Sequence, residues 1–220
     1  MSIYDFIKSF LTKRNSISIY NFIKSINPSL LIEIGSNVGS DTERFKSLAP
    51  NAKIIGFEPD PRNLAVLKSR GISKFATIEP YAISNVTGKQ TFYLSSGEYS
   101  GVKDWSYSSS LKKPTEHLNV WPSITFDQKI EVDALRLDDY PGIQNQTIDF
   151  IWMDVQGAEE LVFSGASKTL KRTKWIYTEF SNRPLYENQK SLDQLMDLLG
   201  KSWLIHTIYE SDVLLKNITF

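Results

Sequence analysis

Two hydrophobic rhythms alternate along the chain. From residue 30 onward, the short apolar runs LLIEI, KIIGFE, KFATIEPYAI, IDFIWMDV and KWIYTEF read as buried strands. Between them, SDTERFKSL, PRNLAVLKSR, AEELVFSGASKTL and SLDQLMDLLG carry their apolar residues at helical spacing. Strand and helix in alternation predict parallel βαβ units in a sheet covered on both faces. The final runs, WLIHTIYE and VLLKNITF, are separated only by Ser211 and Asp212. So short a link permits only an antiparallel hairpin.

Two regions depart from this alternation. Residues 2–10 and 18–26 form a near-repeat, SIYDFIKSF and SIYNFIKSI, that predicts two short amphipathic helices. They make an N-terminal helical extension, residues 1–28, ahead of a main domain at 29–220, and either lie on the core or pair with a second copy. Residues 86–133 form an insertion in which KQTFYLSS and KIEVDAL read as strands around a long polar loop. A loop of that length inside a compact domain is expected to be a lid or a binding loop. Trp105, Tyr107 and Trp121 give it an aromatic character suited to closing over a ligand.

Composition narrows the chemistry. The chain of 220 residues has no cysteine, which removes disulfides, thiolate nucleophiles and cysteine-bound metal. His117 and His206 are its only histidines, so a metal site would have to be rich in carboxylates, and none is required. Lys plus Arg and Asp plus Glu balance at 25 each, without the basic footprint of a nucleic-acid binder. The amino terminus carries Asp5 and Lys8 within its apolar pattern and does not read as a secretory signal. No apolar stretch is long enough to span a bilayer, and the expectation is a cytoplasmic protein.

The loop after the first predicted strand, in EIGSNVGSD, is the first candidate site. Gly35 and Gly39 allow a sharp turn and close approach of a ligand, and Asn37 tolerates a left-handed backbone. GSNVG lacks two glycines of the dinucleotide fingerprint, which argues against NAD and leaves a Rossmann-type oxidoreductase or epimerase as the alternative. Glu33, within the strand, would repel phosphate but suits an ammonium or a sulfonium. Glu58, at the end of the next strand in GFEPD, stands where an acid meets a ribose diol.

EIGSNVGSD, GFEPDP, YAISN and IDFIWMDVQGAEELVFSGA, in that order and spacing, resemble the FkbM family of S-adenosylmethionine-dependent methyltransferases over residues 30–179. The resemblance implies the class I methyltransferase fold: α/β, Rossmann-like, doubly wound, with a mostly parallel seven-stranded sheet and an antiparallel C-terminal hairpin. It implies O-methylation of a hydroxyl, on a sugar or a polyketide-type product. By the same resemblance Glu33, Gly35, Ser36, Asn37 and Gly39 would surround the methionine part of S-adenosylmethionine. Glu58 would hold the ribose, and Pro59 and the turn Tyr81, Ala82, Ile83 would flank the adenine.

MDVQGAEE begins at the carboxyl end of a strand and runs into a helix, so Asp154, Gln156 and Glu159 should converge on the same mouth of the sheet. Methyl transfer to an alcohol needs the hydroxyl held in line with the methyl and a base to take its proton. Asp154 is the first choice. Glu159 is either a second candidate or an acid complementing the dipole of its helix. In the family an acid often stands where Gln156 is found, which here moves the base to Asp154, Glu159 or Glu179. Glu179 and Asn182 should face the acceptor side, with Gln156 reading a substrate hydroxyl. Ser109 and Ser110 in the run SSSL, and His117 if the loop closes, could also bind the acceptor, a small molecule or saccharide; His206 sits in a strand pattern and reads as structural. A cofactor-binding scaffold without catalysis stands as the non-enzymatic alternative.

Overall fold

A computed structural model describes residues 18–220; the first of the two near-repeated N-terminal segments lies outside the described residues. The second forms α1 (Ile19–Ile26), ended by Asn27 in a left-handed conformation, φ 42°. It is not a free appendage. Ile19 and Ile23 are buried in a core with Leu31, Phe45 and Phe150, and Phe22 meets Trp175 edge-on with ring centroids 4.7 Å apart.

The main sheet has seven strands: β1 (Leu30–Ile34), β2 (Lys53–Phe57), β3 (Thr77–Glu79), β8 (Ile148–Met153), β9 (Thr173–Glu179), β10 (Trp203–Ile208) and β11 (Asp212–Asn217). They lie in the order β10-β11-β9-β8-β1-β2-β3. All neighbours pair in parallel except β11, which runs antiparallel to both β9 and β10. This is the predicted doubly wound sheet with its antiparallel C-terminal hairpin. β1 is buried at every position because a core packs on each face: Ile32 and Ile34 belong to one, Leu31 to the other. The strand order reverses between β1 and β8, which opens a crevice at the carboxyl ends of β1, β2 and β8.

The helices follow the predicted segments. α2 (Ser40–Leu48) starts just past Gly39. α3 (Pro61–Ser69) has Asp60 as its cap, whose carboxylate accepts the Arg62 N–H, and Pro61 in its first turn. α7 (Leu192–Leu199) is opened by a capping box between Ser191 and Gln194. AEELVFSGASKTL, expected as one helix, is two: α5 (Glu159–Ser164) and α6 (Ser167–Leu170). The break falls at Gly165, where a Cβ would overlap the Ser84 carbonyl, so this chain crossing permits only glycine. The carboxylate of Asp138 then accepts the N–H groups of Lys168 and Thr169 and starts the second helix. KFATIEPYAI, expected as one strand, bends at Pro80 into β3 and β4 (Ala82–Ile83), which join different sheets.

The insertion is ordered. β5 (Gly88–Tyr99) and β7 (Ile124–Leu135) pair antiparallel, and with β4 and the short β6 (Val102–Lys103) make a second sheet in the order β4-β7-β5-β6. The segment between β6 and β7 carries a single turn of helix, α4 (His117–Val120), and is tied to the loop after β9. Thr115 and His117 donate their backbone N–H groups to the Leu185 carbonyl, and Glu187 donates to that of Lys113. The Lys112 ammonium, buried, pairs with Glu160 in α5 and donates to the Asn188 carbonyl at 2.9 Å.

Candidate active site

Two clefts open over the carboxyl edge of the main sheet. The first is built around the turn after β1. Gly35 has φ 92°, and a Cβ there would overlap the Asp154 carbonyl; Asn37 takes φ 46° and Gly39 φ 81°. Three left-handed residues in five turn the loop back over the end of β2, where Gly35 and Ser36 donate their N–H groups to the Phe57 carbonyl.

Acids line this cleft and no lysine or arginine does, among the described residues. Glu33 is 1% exposed, accepts the Thr42 hydroxyl at 2.5 Å, and its carboxyl is pushed up to about 8 by burial, against the pull of that hydrogen bond. Glu58 accepts the Asn37 N–H at 2.7 Å and the Asp60 N–H at 2.8 Å; burial raises it to about 7 despite those donors. Asp41 is held from outside: the Tyr20 hydroxyl of α1 donates to it at 2.9 Å, and the Tyr20 ring stacks on Trp152 with centroids 5.8 Å apart. The Ser36 hydroxyl, also lining the cleft, is buried and has no hydrogen-bond partner. Pro59, Tyr81, Ala82 and Ile83 form the far wall.

Such a surface fits a ligand with net positive charge and hydroxyls for Glu58 to accept, and is hostile to a pyrophosphate. S-adenosylmethionine, with an ammonium, a sulfonium, a carboxylate and a ribose diol, matches this donor set; NAD does not.

The second cleft lies between the 104–123 segment and the loop after β9. Tyr99, Trp105, Tyr107 and Trp121 wall it, Ser181 and Gln189 edge it, and Asp154, Gln156 and Glu179 form its floor. Tyr107, Asp154 and Gln156 line both clefts.

Gln156 organises this junction. Its backbone is left-handed, φ 53°, followed by Gly157 at φ 86°. Its side-chain Nε2 donates to Asp154 Oδ1 at 2.7 Å and to Glu179 Oε2 at 2.9 Å. The Tyr186 hydroxyl, on a ring 1% exposed, donates to the Ser108 carbonyl at 2.7 Å and lies 3.2 Å from Gln156 Oε1. Asp154 is exposed where the two clefts meet; the protein mass around it still raises its carboxyl, against the pull of the hydrogen bond from Gln156. Glu179 is raised well above the ordinary carboxylate range by burial and then by the charge of Asp154. Glu179 is raised further than Asp154, so Asp154 is the member of the pair that ionises first.

The remaining candidates fall elsewhere. Glu159 lines neither cleft. Its buried carboxylate accepts the Gly157 N–H at 3.1 Å in the first turn of α5, and burial raises it to about 8. Ser110 is buried and donates to the Gln156 carbonyl at 2.8 Å, so it shapes the turn instead of meeting a ligand. Asn182 is exposed and lines neither cleft, while its neighbour Ser181 does. Ser109 lines the first cleft, not the second, bound to Ser95 and Arg62. His117 lines the second cleft, buried against Trp121, Phe126 and Tyr186, with its Nδ1 unpartnered and its pKa lowered by burial. Sequence reasoning missed Tyr20, Trp152 and Tyr186, and gave Tyr107 no place at the junction; no motif marks them, since each acts through a contact distant in sequence.

The family model described as the methyltransferase FkbM domain matches residues 33–204. The chain belongs to that family. An FkbM relative, the 2-O-methyltransferase NoeI of Sinorhizobium fredii (strain NBRC 101917 / NGR234), is 40% identical over 193 residues, which cover 86% of this chain and 79% of that protein. Among solved structures, the methyltransferase FkbM from Methylobacillus flagellatus KT superposes with a TM-score of 0.51 at 15% identity over 86% of this chain. This chain spans 43% of that longer protein. A structure from Clostridium thermocellum described as an rRNA-methylase gives 0.52 at 13% identity over 94% of this chain. At such identities the two structures speak for the fold alone, and the fold they share with this FkbM chain is the methyltransferase one. Among the described residues no helix is long and apolar enough to cross a membrane.

Proposed function

We propose that this FkbM methyltransferase transfers a methyl group from S-adenosylmethionine to a hydroxyl of a saccharide. The single observation that carries the reading is the junction: Tyr107, Asp154 and Gln156 border both an acid-lined cleft suited to the cofactor and an aromatic cleft suited to a sugar. The name of the NoeI relative, a 2-O-methyltransferase, supports oxygen as the acceptor atom.

When bound, S-adenosylmethionine would supply a sulfonium methyl whose carbon an alcohol oxygen attacks in line, the O–C bond forming as the C–S bond breaks and the sulfur leaves as a neutral thioether. The chain's part is to align the hydroxyl and take its proton. Asp154 is the base, because it borders both clefts and is the member of the pair that ionises first. Glu179 is the protonated partner that holds Asp154 ready, and Gln156 fixes both carboxyls with one amide. Glu58 would hold the ribose, and Glu33 and Asp41 would face the cationic end of the methionine moiety.

The test is calorimetric titration with S-adenosylhomocysteine and with NAD, on the native protein and on Glu58→Ala. Binding of the homocysteine nucleoside alone, lost in the variant, is the expected result. A preference for NAD, or no binding of either, would overturn the reading.

A further inference from the structure

The aromatic cleft carries information about charge as well as shape. Its described lining contains no lysine or arginine, and its floor is the carboxyl pair Asp154 and Glu179. Lys113 and Arg183, beside lining segments in sequence, do not line it, and the nearby Lys112 is consumed by Glu160. His117 lines the cleft, packed against Trp121 and Tyr186, and with burial lowering its pKa it brings no positive charge there. The walls are aromatic faces in sequence: Tyr99 meets Trp105 edge-on at 5.1 Å, and Trp105 leans on Tyr107 at 4.6 Å.

We infer that this cleft selects an uncharged saccharide and rejects sugar phosphates and nucleotide-linked sugars, so that methylation acts on a sugar already transferred to its acceptor. The inference rests on the proposed methyltransferase reading and extends it to the acceptor. A pyranose presents C–H bonds on its faces and hydroxyls round its edge. The faces match the negative π-clouds of the tryptophans and tyrosines, and the hydroxyls find Ser181 and Gln189. A phosphate or diphosphate brings charge into a recess with no counter-charge and with carboxyls below it, a juxtaposition that costs affinity steeply. Activated sugars carry that diphosphate until a glycosyltransferase removes it. The reaction that supplies this substrate is therefore a glycosyl transfer.

The experiment presents labelled S-adenosylmethionine and matched acceptors: each common hexose and 6-deoxyhexose as its methyl glycoside, at the end of a short oligosaccharide, as its 1-phosphate and as its nucleotide diphosphate sugar. Binding without turnover is read in parallel from tryptophan fluorescence in the presence of S-adenosylhomocysteine. The expected result is label in a glycoside or oligosaccharide, with kcat/KM at least about tenfold lower for the charged forms of the same sugar. Trp121→Ala should raise KM for the neutral acceptor and leave S-adenosylhomocysteine affinity unchanged, and Gln189→Lys should narrow the gap between neutral and charged forms. Equal or better use of a sugar phosphate or nucleotide sugar overturns the inference. So does the absence of transfer to every sugar when S-adenosylhomocysteine binds normally, which leaves the cofactor assignment standing. If S-adenosylhomocysteine itself does not bind, the parent reading falls first.

Discussion

Replacing Glu33 by glutamine should stabilise the free protein at mildly alkaline pH while weakening cofactor binding. Glu33 is fully buried, accepts the Thr42 hydroxyl, and burial lifts its carboxyl from the ordinary 4.5 to about 8. A group whose folded pKa lies above its unfolded one favours folding fully below the unfolded value, and that contribution drains away as pH rises through the folded value. From pH 6 the slope is about 1.4 kcal/mol per pH unit and it halves as the pH reaches the folded value near 8, so between pH 6 and pH 8 this residue alone removes about 2.3 kcal/mol from the native protein. Glutamine keeps the shape and the Thr42 contact without the titration. Glu58 and Glu159 titrate in both proteins and cancel in the difference. At about 2–4 °C per kcal/mol for a chain of this size, the Tm of Glu33→Gln should gain roughly 5–10 °C on the native protein between pH 6 and pH 8. Differential scanning fluorimetry across that range measures the gap, and calorimetry with S-adenosylhomocysteine measures the price in affinity. A Tm difference that stays constant with pH refutes the burial argument; unchanged affinity refutes the placement of Glu33 beside the cationic end of the cofactor.

Asp154→Asn should lower kcat by roughly 100-fold or more, as expected for loss of a general base, whereas Glu179→Gln, which keeps a donor toward Asp154, should retain most of the native rate. The pH–rate profile should fall toward acid with its limb above the ordinary carboxylate range, since both carboxyls are raised; a limb near pH 4 contradicts the raised pair. Glu160→Ala strands the buried Lys112 ammonium and should cost about 3–5 kcal/mol, read as a drop in Tm and as new proteolytic cleavage within residues 100–123; an unchanged cleavage pattern shows that the pair does not hold the insertion down. Gln156→Glu puts a third carboxyl between Asp154 and Glu179 and should move the acid limb of the rate profile to higher pH, while an unmoved limb would mean that Gln156 does not govern the pair.

The parts of the site that follow one strand into one helix were legible as sequence. EIGSNVG, GFEPD and MDVQG each couple a buried strand to a turn, and the topology of a parallel sheet sends all three turns to the same edge. Glu33, Glu58, Asp154 and Gln156 accordingly line the expected crevice. The acceptor side was legible only as an aromatic loop, because its geometry comes from pairing between distant segments. Pro114 bridges to Tyr186, and Thr115 and His117 hang from Leu185, contacts that no local periodicity announces. The same limit explains Ser110 and Glu159. Both stand in suggestive runs, yet Ser110 turns to the Gln156 carbonyl and Glu159 to the Gly157 N–H. A polar side chain beside a strained turn is drawn first to that turn's own unpaired backbone groups.

That strain explains the choice of glutamine. A left-handed backbone at a non-glycine residue costs about 1–2 kcal/mol, and at Gln156 it is met by the Ser110 hydroxyl on its carbonyl and by the Tyr186 phenol beside its side-chain oxygen. The return is one neutral amide aimed at two carboxyls. An acid at this position would itself serve as a base but could not donate to both neighbours while ionised. Glutamine gives up the proton-accepting role, and by donating to Asp154 and Glu179 together it lets two acids sit side by side. On the proposed reading, the departure at residue 156 and the choice of Asp154 as base are one inference: with no acid at 156, the proton goes to the carboxylate that its amide holds at the meeting point of the two clefts.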